Sequence, residues 1–450
     1  MTHLRTLMAA AALGVAAAAL PAAAQADAPW SAPAALQGST TPSTGPLGAI
    51  TARGTAALTY SVPSTQDAPA AQPTRLVRMD SAGDVLANDG LSFAAQAVAS
   101  YATSGLAAAG ETFGTAYPGT LDDTSKLVVS TMSGTGSIKS TTISGLAGYG
   151  VDALAGDAQG NLALVVFNTR QRIVYLRKKG SSSFSKVLTI PVSSEGRGAT
   201  LAVGGRTGGE LLVAYEDHHT IYARHRGTKS WGSVHQLGDG VQSDISAAFD
   251  ASGRESVAWK SQRIGEGESD APAVISFSTA APGRAFGARR AIDSVSGPNG
   301  AGHYVASPAV LLRVVDATHT LMAWTGAAQS GRFAVKTQTI ASGHTGTVST
   351  LTPDAINAVL GAASVAPSGA ALVLWRSDTA GADTTAGGSP RLTASYRAAG
   401  AASFGLPEPV SAIEEQQPDL VGLVDPTTGR AVAAWAPVSA GAEFAARPAP

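Results

Sequence analysis

The chain has 450 residues, 44% of them hydrophobic and only 14% charged, with 51 Gly, 24 Pro and no Cys. A disulfide framework and a lipid-modified cysteine are thereby excluded. The net charge of −1 supplies no field to gather nucleic acid or anionic lipid. So much apolar material, interrupted by so many turn formers, suits a large core built from short strands.

Residues 1–26 read as a secretory leader. His3 and Arg5 give a weakly positive start, 7–20 form an apolar Ala/Leu run, and Ala24-Gln25-Ala26 before Asp27 fits a small-x-small cleavage site. The run is too short to anchor the chain in a bilayer, and no later stretch is long enough. An exported protein, extracellular or periplasmic, is expected; the richness in Ala and the use of Arg over Lys suggest a high-GC bacterial genome. Residues 27–46 are rich in Ala, Pro, Ser and Thr, the composition of a disordered tail. One phrase in them argues otherwise. Trp30-Ser31-Ala32-Pro33-Ala34-Ala35-Leu36 resembles Trp231-Gly232-Ser233-Val234-His235-Gln236-Leu237 and Phe404-Gly405-Leu406-Pro407-Glu408-Pro409-Val410 further on.

From residue 47 to 450 one phrase recurs: a small apolar run, a turn, and a second apolar run ending in an aromatic. The second runs are 56–60, 106–113, 161–167, 210–215, 254–259, 320–324, 370–375 and 430–435, ending in Tyr60, Phe113, Phe167, Tyr215, Trp259, Trp324, Trp375 and Trp435. Four of the turns before them begin with Asp (157, 250, 316 and 425), and all of these but the one at 316 carry Gly; Asp closes a turn with its own carboxylate and Gly supplies the positive φ. The first runs are read at 95–99, 199–203, 245–249, 309–315, 362–366 and 420–424. Their small side chains suit strands crowded near the axis of a ring. Four strands in each copy make an all-β propeller of four-stranded antiparallel blades. Eight blades are expected, with seven as the alternative. The last copy, 420–447, has only three strands, and 30–36 is expected to supply its fourth and close the ring.

Alternating strand directions put the strand 1–2 and 3–4 turns on one face, and the 2–3 and blade-to-blade connections on the other. Nearly all insertions fall in the second set: 63–73, 114–125, 261–272, 293–304 and 377–390. Recognition residues ride on loops held by a rigid scaffold, so this face is the candidate. Its densest polar cluster is Glu216-Asp217-His218-His219, an acid/base pair, a metal fragment or simply a solvated loop. Arg170 and Arg172 bound a short connection. Arg263 stands among Lys260, Gln262, Glu266, Glu268 and Asp270, and Arg376 with Asp378 begins a third loop. Arginines converging on the channel mouth would hold a carboxylate-bearing sugar bidentately, or serve as rim residues in surface ion pairs. Tyr304, next to His303, is read as a sugar-stacking ring or as packing at a blade junction. The recurrent tryptophans are read as core.

No phosphate loop, G-x-S-x-G elbow, H-E-x-x-H or calcium loop is present. The repeated Asp-x-x-Gly, apolar run and Trp resemble the secreted β-propeller proteins of high-GC bacteria, filed loosely beside sialidases and other Asp-box propellers. That resemblance implies the propeller fold. It transfers no catalytic residue, because Trp259 and Trp435 lie too far beyond Asp250 and Asp425 for a true Asp-box, S-x-D-x-G-x-x-W, and the early Arg-Ile-Pro phrase is missing. The expected function is non-enzymatic recognition or scaffolding of a glycan, a cell-surface polymer or a protein. The candidate ligand-binding residues are Arg170, Glu216, Asp217, His218, Arg263, Tyr304, Arg376 and Asp378. The alternative is a carbohydrate-active hydrolase or lyase. The reading expects a monomer with no cofactor, metal, nucleic-acid partner or membrane span.

Overall fold

The computed structural model describes residues 30–36, 46–61, 72–80, 84–95, 105–118, 126–133, 138–193, 198–240, 244–261, 273–295, 310–328, 332–353, 357–378, 391–413, 420–436 and 442–449. All regular structure among them is β. Eight antiparallel sheets follow one another along the chain: 47–95, 105–143, 150–191, 199–239, 245–295, 310–350, 357–413 and 420–447. They are blades one to eight. Within each of blades one to seven the strands pair in chain order from the axis outward, and in blade eight the first three do. Each inner strand lies against that of the next blade, and the inner strand of blade eight (Leu420–Val424) lies against that of blade one (Leu47–Ile50). The ring is therefore a closed eight-bladed propeller. Blade six alone has a broken fourth strand, His344–Thr345 and Ser349–Thr350, both on its third strand.

The ring closes through the N-terminal phrase. Ala34 and Ala35 pair with Phe444 and Glu443 on the third strand of blade eight. Ser31 N–H donates to the Ala446 carbonyl and Leu36 N–H to that of Ala442, each at 2.8 Å. Leu36 is buried in a cluster with Tyr60 and Val421, and Trp30 packs on a cluster containing Trp435. Head and tail of the chain share one sheet. No blade is left with its third strand open for pairing with another molecule.

Packing between blades explains the residue choices. A Cβ added to Gly156, on the inner strand of blade three, would stand 2.1 Å from the Ala108 carbonyl oxygen of blade two. Only small residues fit there. Further out, each cluster joins one side of a blade to the facing side of the next, as Val165 and Leu176 meet Leu211 and Tyr215. Trp259, Trp324, Trp375 and Trp435 are all buried in such clusters. The Trp324 indole N–H reaches Asp293 Oδ2 at 2.9 Å. These rings are core, and removing one is expected to cost about 3–5 kcal/mol.

Blade two differs from expectation. The run 106–113 is not one strand but a hairpin, Gly105–Ala109 and Thr112–Pro118, turned at Gly110 and Glu111. Gly110 takes the positive φ (59°) that the two-residue turn requires. The aromatic near the outer end of that second strand is Tyr117, not Phe113. The inner run read at 95–99 is displaced too. Ala95 ends the fourth strand of blade one, and 96–99 lie outside the described residues. The leader, 1–26, lies outside them as well.

Candidate functional site

The two faces of the ring are built differently. On one, Asp carboxylates close the strand 1–2 turns. Asp157 Oδ1 accepts the N–H groups of Gln159 and Asn161 at 3.0 and 2.9 Å, and its Oδ2 accepts the Gly209 N–H of blade four at 2.8 Å. Asp250, Asp316 and Asp425 accept in the same way. Burial pushes the Asp425 carboxyl up, but donors from Thr427 and Thr428 outweigh it and hold its pKa below the ordinary value. Neighbouring turns also bond directly, Gly110 N–H to the Asp157 carbonyl and Ser252 N–H to that of Ala317. Near this face His225 bridges two blades: its Nδ1 stands 2.9 Å from Glu255 Oε1, and its Nε2 3.5 Å from Glu210 Oε2.

The other face carries the long connections. Between second and third strands these run over 62–71, 119–126, 262–272 and 379–390, and between blades over 96–104 and 296–309. Blades three and four supply its described portion. Asn168 Oδ1 accepts the N–H groups of Arg170 and Gln171, each at 2.9 Å, and shapes a short turn with the Arg170 side chain exposed. The Arg170 carbonyl accepts the Val192 N–H at 3.0 Å. The next residue, Ser193, donates both its N–H and its hydroxyl to Asp217 Oδ1 at 2.8 Å. Asp217 ends the second strand of blade four, and the chain reverses at once through His218 and His219 (φ 46° and 58°). Positive φ at both central residues is the geometry of a type I′ turn, which favours Asn-Gly. Gly240 N–H closes the rim on the His219 carbonyl at 2.8 Å.

Below the rim lies a buried ion pair. The Arg172 Nε donates to Asp152 Oδ2 at 2.7 Å, and its Nη1 to the Glu216 carbonyl at 3.5 Å. Asp152 is the extra residue of a β-bulge, since the register passes from Val151↔Val166 to Ala153↔Val165. A bulge re-aims one side chain, here into the junction between blades. Burial raises the Asp152 pKa, and the adjacent Arg172 charge works against that rise. Gln171 Nε2 donates to the Tyr149 hydroxyl beside it. Together the rim presents an exposed guanidinium, a carboxylate held by Ser193 and two imidazoles. That set meets hydroxyl, amide and carboxylate groups of a polar ligand. Among the described residues, no three His, Asp or Glu side chains gather as ligands for a metal ion.

No family model matches the chain, and no curated protein matches it. Solved propellers do. A WD40 domain of SCAP from fission yeast shares 9% identity, covering 94% of this chain and 98% of that one, with a TM-score of 0.49. The β-propeller domain of the Trilobed protease from Pyrococcus furiosus shares 10%, covering 77% and 94%, at 0.46. The Aleuria aurantia lectin shares 13%, covering 70% and 97%, at 0.37.

Of the candidate residues, Arg170, Asp217 and His218 are brought onto one rim. Glu216 is not on its surface: its side chain is buried, with Oε1 3.9 Å from His219 Nδ1. The two histidines form the turn between the second and third strands, within the connection where the sequence reading put them. Arg376 is half-buried on the second strand of blade seven, four blades along the ring from blade three; Asp378 ends that strand. Arg263 and Tyr304 lie outside the described residues. Sequence reasoning missed Ser193 and Asp152. For Asp152 a signal existed, a lone carboxylate inside the small apolar run 150–156.

Proposed function

We propose that this chain is an exported, non-enzymatic recognition or scaffold propeller that binds a glycan, a cell-surface polymer or a protein through the face carrying its long connections. One observation carries the reading: the strand 1–2 turns of one face are short and neighbouring ones bond to each other, while the three longest connections, 262–272, 296–309 and 379–390, belong to the opposite face. Recognition residues ride on loops held by a rigid scaffold, so the face with the longest connections is the one to bind. The rim from Arg170 to His219 is the described part of that surface. Its carboxylates are engaged in holding structure, Asp217 by Ser193 and Glu216 by burial, which speaks for binding over acid/base chemistry.

Residues 27–450 are to be screened against a glycan array and purified cell-envelope polymers. Saturable binding is expected, weakened about tenfold or more by Arg170→Ala with Asp217→Asn and unchanged by Thr207→Ala on the opposite face. Equal loss from both faces, or no binding in any screen, would contradict the proposal.

A further inference from the structure

The eight inner strands carry two charged side chains between them, Asp152 in blade three and Arg313 in blade six. Asp152 has Arg172 as counter-charge. Arg313 bonds to no acid among the described residues. Its Nε donates to the Ala363 carbonyl of blade seven at 2.7 Å, and its Nη1 to the Leu312 carbonyl at 2.8 Å.

Both carbonyls face the central channel. In blade seven the turn bond from Ala366 N–H to the Ala370 carbonyl fixes which ladder positions bond. Antiparallel alternation then turns the N–H and C=O of Ala363, opposite Val373, away from the second strand and toward the axis. The same count from Val315 N–H to the His319 carbonyl turns Leu312, opposite Met322, to the axis. There its N–H donates to Ser246 Oγ of blade five at 2.9 Å. The guanidinium therefore lies in the channel wall between blades six and seven, near the short-turn end. Arg313 is half-buried, and burial pushes the pKa of its guanidinium down with no acid among the described residues to restore it.

A guanidinium has five N–H donors in a planar fork. Two are spent on carbonyls, which fix the plane, and three, one on Nη1 and both on Nη2, remain as donors for a carboxylate. A cation without counter-charge in surroundings of low dielectric attracts an anion more strongly than the same group in bulk water. We propose that Arg313 anchors a site for a small carboxylate in the wall of the central channel, at the end opposite the long-connection face. The site is independent of the ligand proposed for that face.

Acetate is the probe. Ligand-observed saturation-transfer NMR on the whole protein at fixed ionic strength is expected to show saturable transfer to the acetate methyl. In folded Arg313→Gln the affinity is expected to fall about tenfold or more. Equal transfer in the parent and the folded variant overturns the proposal. Should the variant not fold, unmodified protein decides: crystals soaked in sodium bromide are expected to show an anomalous peak within about 4 Å of the guanidinium. Bromide peaks elsewhere with none at Arg313 overturn it equally.

Discussion

His218 and His219 hold φ values of 46° and 58°, a region that costs a side-chain-bearing residue roughly 1 kcal/mol or more and that Asn and Gly tolerate far better. The backbone of the hairpin favours Asn-Gly there; both rings are exposed, and that of His219 lies 3.9 Å from the buried Glu216 carboxylate. The double substitution His218→Asn, His219→Gly is expected to stabilise the protein by about 1–2 kcal/mol in urea unfolding, and to weaken binding by the long-connection face. Lower stability would show that the rings hold the turn together. His225 makes a second residue-scale prediction. The Glu255 carboxylate beside it raises its pKa above the ordinary imidazole value, with Glu210 adding to the rise and burial opposing it. A raised folded-state pKa gives stability that is complete below the unfolded pKa of about 6.5 and lost as pH rises through the folded value. The melting temperature is therefore expected to fall over that interval on the alkaline side of 6.5, and His225→Gln to flatten this part of the profile. An unchanged profile in the variant would remove His225 as its source.

Among the elements, the N-terminal strand is the one whose removal tests the fold. Deleting 27–46 takes away the backbone bonds from Ser31 and Leu36 and the burial of Leu36, and exposes the third strand of blade eight. A melting temperature lower by about 5 °C or more is expected, with concentration-dependent association through the bare edge. A shift below about 1 °C would show that the ring holds without it. This strand was legible in the sequence because its phrase repeats at 231 and 404, and because 420–447 offered only three strands. Blade eight itself, at 420–424, 431–435 and 443–447, has its three chain-terminal strands inside the run 420–447 that the sequence reading assigned to it. Blade two was not legible in its register. Leu106 to Ala109 and Gly114 to Ala116 are all small or apolar, and the only polar break between them is the short Gly110-Glu111-Thr112, which the repeat phrase ending in Phe113 spans. The candidate site was legible only as a polar cluster. The Ser193–Asp217 bond joins the connection between blades three and four to the second strand of blade four, and the Asp152–Arg172 pair joins two strands of blade three; such pairs depend on blade register and on a bulge that no local pattern announces.

At the scale of the whole molecule, the propeller keeps two kinds of connection apart. Turns near the channel on one face bond to one another and leave little freedom, whereas the opposite face spends chain length freely. A long surface connection costs only a logarithmic entropy term, so the ring tolerates that asymmetry, and the ligand recognition proposed above would give it a use. Hydrogen exchange on the protein with and without a saturating ligand from the binding screen tests this most directly. Slowed exchange is predicted in 168–171, 192–193, 216–220 and the strand 2–3 connections, with the turns at 157–161, 205–209, 250–254 and 425–430 unchanged. Slowing confined to those four turns would contradict the assignment of the binding face.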